Sequence, residues 1–503
     1  MIKSDPDRSS GAEFAAARAG STWYCAGNKD RLHYLFEGGR RLGRVRRGVE
    51  DGQRAMSESP ETVGTDLPVR DVVGVGFGPA NLALAIAIEE HNAECPPRER
   101  ISAQFFEKQD RFGWHPGMLL DGATMQIAFP KDLVTFRNPR SAFTFFNYLF
   151  DQGRLVDFVN HQTFFPTRHE FHDYLQWAAR RVDADVRYGT AVETVRGIRG
   201  DDGVIDRFEV RAADGSAVIA RNVVIGAGLR ERIPEWANPS ARCFHNHQFL
   251  FRLGEMPAPV HHRFVVLGAG QSAAEIVQYL HGNYPEAEVH SVFSRYGYSP
   301  ADDSPYANRI FDPEAVDDLH GAPEAERLRL LDVHRSTNYS VVDIELINEL
   351  YATEYQERVR GRRRLFMRRA SEIIAVDETS DGIEVAVRSG VDGLTDTLAC
   401  DALILATGFT PAPLEPLLGD LAPKTHPPRE VGRDYRLAVS PDVTAGIYLQ
   451  GGTEKTHGIT SSLLSNVAVR AGEIVTSVVT RRGRNGTLAS VNAQDTYATS
   501  EAR

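Results

Sequence analysis

An α/β fold with two Rossmann-like dinucleotide-binding domains and a small, mainly helical insertion is what the 503-residue sequence predicts, on three observations. An apolar strand breaks into a glycine-rich turn and opens a helix at Asp71 to Asn81. The same succession returns at Arg263 to Glu275. A polar, helix-patterned stretch from Ala301 to Tyr355 interrupts the second unit. Strand, glycine turn and helix in that order make a cradle for a dinucleotide, because the first helical turn presents free N–H groups and a positive dipole end to a pyrophosphate. One such fingerprint is weak evidence, since a plain strand-to-helix turn looks alike; two in one chain are much more specific.

With 42% hydrophobic and 25% charged residues the composition is that of a globular protein of two or three domains. A net charge of −11 argues against a general nucleic-acid or membrane-surface binder. Cys25, Cys95, Cys243 and Cys400 stand far apart with no CxxC pair, so neither a zinc site, a disulfide framework nor a disulfide reductase is suggested, and a cytoplasmic location fits. No apolar run approaches the ~18 residues of a membrane span. His245, His247, His261 and His262 lack carboxylate or cysteine partners at ligand spacing and read as loop histidines, so no metal is expected.

In chain order, residues 1–67 read as a poorly ordered N-terminal extension, with Met56 a candidate start of translation. In the first cradle Gly74 is assigned the tight turn, Gly76 the close approach to the pyrophosphate, and Gly78 and Pro79 the opening of a helix that runs to about Ile88; proline suits a first turn because its missing N–H has no partner there. Glu107 ends the strand Ile101 to Phe106, farther on than the ~20 residues usual for the acidic ribose ligand. A carboxylate there takes both ribose hydroxyls of an adenosine, so the ligand is expected to lack a 2′-phosphate; beside a second cradle for NADPH, this one is assigned to FAD. Val218 to Leu229 reads as one apolar strand run ending in small residues.

The second cradle comprises Gly268, Gly270, Gln271, Ser272 and Ala273, with a helix to Leu280. Its next strand, Glu288 to Phe293, ends in Ser294 and Arg295 instead of a carboxylate. An arginine there accommodates a 2′-phosphate, which points to NADPH. Helical patterns follow at Leu319 to Asp332 and Val341 to Tyr355, and the arginine-rich run Arg358 to Arg369 reads as a solvated helix end before a strand at Glu372. Leu398 to Leu405 is a strand halting at Ala406, Thr407 and Gly408, small residues that let backbone approach a cofactor; Ile459 to Val479 is a helix. The expected domains are therefore 68–230 with 400–481 for FAD, 231–299 with 366–399 for NADPH, an insertion at 300–365 for substrate, and a flexible tail at 482–503. A flavin and a nicotinamide in one chain imply hydride transfer between them.

The segment Met125 to Pro139 is the most individual in the chain, and with it the sequence resembles the microbial N-hydroxylating flavin monooxygenases, specifically the L-ornithine N5-monooxygenases of hydroxamate siderophore pathways. The resemblance runs from about residue 68 to 475 and includes residues 74–81, Trp114 and His115, Phe143 to Leu149, Gly268 to Glu275, Ala301 to Pro305, Thr337 to Tyr339, Ala406 to Phe409, His457 and Gly458, and Leu463 to Ser465. It implies that NADPH reduces the flavin and that O2 then forms a C4a-hydroperoxyflavin, which oxygenates the terminal amine. By the same resemblance Lys131 and Asn308 hold the amino-acid carboxylate and Asn338 the α-amino end. Gln126 packs beside the flavin, Ser465 lies near flavin and amine, Trp114 and His115 border the cofactor, and Arg168 supports NADP. L-Lysine or a diamine is the alternative substrate, and a non-catalytic NADP(H)-binding flavoprotein the alternative class. A homo-oligomer, dimer or tetramer, is expected.

Overall fold

The computed structural model describes residues 67–423 and 430–498. The N-terminal extension, Met56 and Cys25 lie outside them. Two five-stranded parallel sheets organise the rest. In the first the order is Gly446–Leu449, Asn222–Ile225, Val72–Val75, Ala103–Phe106, Asp185–Arg187; in the second it is Cys243–His245, Ala402–Leu405, Arg263–Leu267, Glu288–Val292, Leu365–Arg368. In both sheets the middle strand feeds a glycine turn, as the sequence predicts. Such sheets are covered on both faces, so their strands read as unbroken apolar runs. The helix Pro79–Glu94 buries Asn81 and every residue from Leu82 to Ile88, because it lies between the first sheet and the helix Val467–Ala498. A helix apolar all round must be buried all round.

A smaller, mainly antiparallel sheet accompanies each parallel one. Val192–Arg199, Ile205–Ala212 and Ala217–Ala220 precede the strand Asn222–Ile225, while Ser371–Glu378, Ile383–Ser389 and Thr395–Cys400 precede Ala402–Leu405. Two expectations change here in the same way. The run Val218 to Leu229 is broken at Arg221 into strands of two sheets, with Leu229 opening a third strand, and Leu398 to Leu405 is two strands, broken at Asp401. Because Ala402–Leu405 pairs with Arg263–Leu267, the second domain extends past the expected boundary at residue 400. The chain then crosses back alongside its outward path, with Phe409–Pro411 antiparallel to Leu229–Glu231.

Further corrections concern helices. Leu319 to Asp332 is two helices, Pro313–Gly321 and Glu324–Val333, since Pro323 offers no N–H to continue the first. Ile459 to Val479 begins as two 3-10 turns, Ile459–Ser462 and Leu464–Asn466, before the α-helix starts at Val467. That helix runs to Ala498 through the expected flexible tail; Gly483 and Gly486 each cost only ~1 kcal/mol in a helix already nucleated by packed turns. The arginine run hides the strand Leu365–Arg368, just before which Arg364 donates to the carbonyls of His281 and Tyr284 at 3.2 Å. His245 belongs to a buried strand, not a loop.

Candidate active site

The first cradle works two residues later than its sequence suggests. Gly74 lies inside the strand, where a Cβ would stand 2.2 Å from the Phe105 ring. The turn is made by Gly76, whose φ of 81° and 2.5 Å clearance to the Gly226 carbonyl exclude a side chain, and whose N–H is already bonded to Phe106 O. Gly78 faces open space and caps the helix that Pro79 begins. Asn81 secures the turn by donating to Gly76 O at 2.7 Å. Glu107 is buried at the strand end and accepts from Phe77 N at 2.7 Å and Gln109 N at 2.9 Å, so its carboxylate is fixed beside the turn.

A loop from the far end of the chain closes over this cradle. Gln450 donates to Ala80 O at 2.9 Å, and the fully buried Arg470 donates to Gln450 at 2.9 Å and to the carbonyls of Thr460 and Ser461. Within that loop Thr453 Oγ1, Thr460 Oγ1, Ser461 Oγ, Ser465 Oγ and Asn466 Oδ1 are all buried without a hydrogen-bond partner. Each such group costs about 1–3 kcal/mol unless a ligand satisfies it. Five together, beside an open glycine at a helix N-terminus, fit the polar ring edge and pyrophosphate of a flavin dinucleotide.

Around the cofactor end, Trp114 O meets His172 Nδ1 at 3.1 Å, while His115 sits left-handed at φ 46° with its ring against Trp114, His247 and Phe409. Burial first, then His247 and Arg168, pushes the His115 pKa down to about 4, so it is neutral at pH 7. Thr407 Oγ1 donates to Arg232 O, and Gly408, at φ 82°, places its carbonyl 2.9 Å from His245 Nε2. His457 stacks on Tyr435 at 4.3 Å, and burial, aided by His320, lowers its pKa to about 3. Among the described residues no group of three or more His, Cys, Asp or Glu is arranged to hold a metal ion.

Lys131 is half-buried, with Nζ 5.6 Å over the Phe311 ring, and burial lowers its pKa against the opposing pull of Asp312. Phe311 ends the 3-10 turn Ala307–Phe311 that carries Asn308, whose amide donates to Asp303 O at 2.7 Å. That turn packs on His334–Thr337, immediately before Asn338, and on Ile459–Ser462 of the closing loop. The structure thus gathers Lys131, Asn308, Asn338 and the Ser465 loop, although they span more than three hundred residues of sequence. Asp132 sets the lysine's backbone: its buried carboxylate accepts from the N–H groups of Val134, Thr135 and Phe145 at 2.6 to 2.9 Å.

In the second cradle Gly268, at φ 150°, passes so close to the strand Ala402–Leu405 that a Cβ would stand 2.3 Å from Ala406 O. Gly270 caps the helix Gln271–Asn283, in whose first turn Ser272 and the buried Ala273 lie. Arg295 is exposed and donates to Ser340 O at 2.8 Å. Arg168 lies at the same helix, making a buried bidentate pair with Glu275 at 2.9 and 2.8 Å. Gln126 is exposed and donates to Asp343 at 2.7 Å. Asp343, Arg470 and Gln450 carry no signal in the sequence, since each acts through partners that only the fold brings near.

Comparison with known proteins agrees with this geometry. Residues 68–411 match the family model described as L-lysine 6-monooxygenase/L-ornithine 5-monooxygenase. An L-ornithine N(5)-monooxygenase of Burkholderia cepacia is 41% identical over 403 residues, 78% of this chain and 90% of that protein. Among solved structures, an ornithine N-hydroxylase of Kutzneria sp. 744 with reduced FAD, NADP+ and L-ornithine superposes with a TM-score of 0.77 at 42% identity, covering 82% of this chain and all of the other. An L-lysine 6-monooxygenase of Pseudomonas syringae gives 0.72 at 35% identity, covering 82% and 99%.

Proposed function

Because the chain belongs to the L-lysine 6-monooxygenase/L-ornithine 5-monooxygenase family, we infer that it is an FAD-dependent monooxygenase that uses NADPH and O2 to convert L-ornithine to N5-hydroxy-L-ornithine. When bound, FAD supplies the redox chemistry, taking a hydride from NADPH and passing one oxygen atom of O2 to the amine. The chain supplies place and distance. Lys131 and Asn308 bond the α-carboxylate, Asn338 the α-amino group, and the buried Ser465 hydroxyl lies where the side-chain amine meets the flavin. Holding one end of the substrate sets how far its other end reaches, which is how positioning becomes rate. Glu107 takes the adenosine ribose of FAD, and Arg295 the 2′-phosphate of NADPH.

The observation that carries the substrate assignment is the half-buried ammonium of Lys131 against the turn that bears Asn308. A cation placed there wants a carboxylate, which ornithine and lysine have and a diamine lacks. Hydroxylamine formation with ornithine, lysine and putrescine tests it: ornithine should have the highest kcat/KM, and a preference for putrescine would overturn the role of Lys131. Hydroxamate siderophore assembly is the proposed use of the product. No described helix is long and apolar enough to cross a membrane, and we assign the enzyme to the cytoplasm, where NADPH is supplied. A homo-oligomer, dimer or tetramer, is supported by the exposed apolar residues Phe146, Phe150, Val156 and Val159 on two consecutive helices, and light scattering tests it.

A further inference from the structure

The six residues Asn338 to Asp343 touch both ligand sites. At one end Asn338 follows the turn His334–Thr337, which rests on the turn carrying Asn308. In the middle Ser340 is left-handed at φ 56°, accepts from Arg295 at 2.8 Å, and lies so close to the second cradle that a Cβ on Gly270 would stand 3.4 Å from its Cα. At the other end Asp343 N donates to Gln271 Oε1 at 2.9 Å, while its carboxylate accepts from Gln271 at 3.0 Å and from Gln126 at 2.7 Å. Gln271 is the first residue of the cradle helix, and it donates in turn to Glu275 at 3.1 Å, the partner of Arg168. A left-handed serine is strained and persists only where its surroundings hold it. Here the bonds at Arg295 and Gln271 do so, and both belong to the nucleotide side.

We propose that this strap, with Asp343 as its positioning residue, couples the two sites, so that ornithine held at Asn338 and NADP+ held at the second cradle tighten one another. The proposal rests on the reading of Asn308 and Asn338 as ornithine contacts. Each ligand favours the seated strap, one by ordering its beginning and the other by ordering Arg295 and Gln271 beneath it. Coupling between binding sites is reciprocal, so either ligand reports it.

Calorimetric titration of NADP+ into the oxidised, FAD-loaded protein, with and without saturating L-ornithine, measures the coupling directly. In the wild type ornithine should tighten NADP+ by about fivefold or more. Asp343→Ala should reduce that ratio below about twofold while leaving ornithine affinity without NADP+ nearly unchanged, a split that a general loss of structure would not produce. Asp343→Asn keeps an acceptor oxygen for both amides and should retain most of the coupling. FAD content and melting temperature report folding, and if Asp343→Ala fails to fold, Gln271→Met removes the bonds between Gln271 and Asp343 from the other side, leaves that of Gln126, and should likewise lower the coupling ratio. Binding of both ligands without coupling in the wild type, or full coupling in the variant that lacks these bonds, overturns the inference alone. A wild-type protein that binds no ornithine overturns the substrate assignment and this inference with it.

Discussion

The two cradles share a strand, a turn and a helix but differ in what surrounds them. Around the first, Glu107 bonds the turn itself and the closing loop carries five buried polar groups without partners. Around the second, the arginine that replaces the carboxylate is exposed and bonded to the insertion, as is the first residue of the helix. We propose that these equivalent motifs serve unequal tasks, the first retaining its dinucleotide and the second exchanging it.

The largest effects should come from the paired glycines. Gly76→Ala and Gly268→Ala each force a side chain into positive φ against a backbone carbonyl, a strain of roughly 1–3 kcal/mol before the clash is counted. The first should abolish FAD retention, read from the flavin absorbance of purified protein. The second should keep FAD but lose reduction by NADPH. Loss of FAD in both would dissolve the distinction between the cradles.

Next in size is Lys131→Ala, which should raise the ornithine KM by about ten- to a hundredfold, since a charge-assisted hydrogen bond is worth roughly 1.5–3 kcal/mol. FAD content and anaerobic flavin reduction by NADPH should hardly change, and loss of flavin would remove Lys131 from the substrate site. Arg295→Ala should raise the NADPH KM by about tenfold and leave that for NADH alone. Equal changes for both nucleotides would deny it the 2′-phosphate.

The smallest effect is one of pH. Burial holds the Lys131 pKa below the usual lysine range, so its ammonium is present at low pH and lost as pH rises through that lowered value. The ornithine KM should therefore climb in mildly alkaline solution while kcat still rises, because the reacting amine must be neutral. Between the lowered pKa and that of the unfolded chain only the unfolded state keeps the proton, so this residue adds to stability as pH increases. A KM flat up to the ordinary lysine range would argue against its burial.

Both cradles were legible because their signal is local: an apolar run, glycines at fixed spacing and a helix. Their wiring was not. Arg221 and Asp401 each look like a blemish in one long strand, yet each is the corner where the chain leaves an antiparallel sheet for a parallel one. Asp401 is buried, accepting from the N–H groups of Val260, His261 and Arg263, and Arg221 pairs with Asp71. A single charged residue between apolar neighbours does not announce a change of sheet, because its partners lie up to 150 residues away. Gly74 was assigned the turn because motif order does not say where a strand stops; the Phe105 ring, packed where its side chain would be, decides it. Lys131 and the two asparagines are proposed as substrate contacts through family likeness, whereas the bonds of Asp343 to Gln126 and Gln271 are visible only in the fold.

The order of strands also bears on how the protein is made. The second parallel sheet draws all its strands from residues 243–405, whereas the first opens at Val72 and lacks an edge until Gly446–Leu449 and its covering helix until Val467. A ribosome working from the N-terminus therefore releases the complete later sheet before the earlier one can close, reversing the usual sequence of domain maturation. The apolar strands around Val72 must wait for nearly four hundred residues of further synthesis.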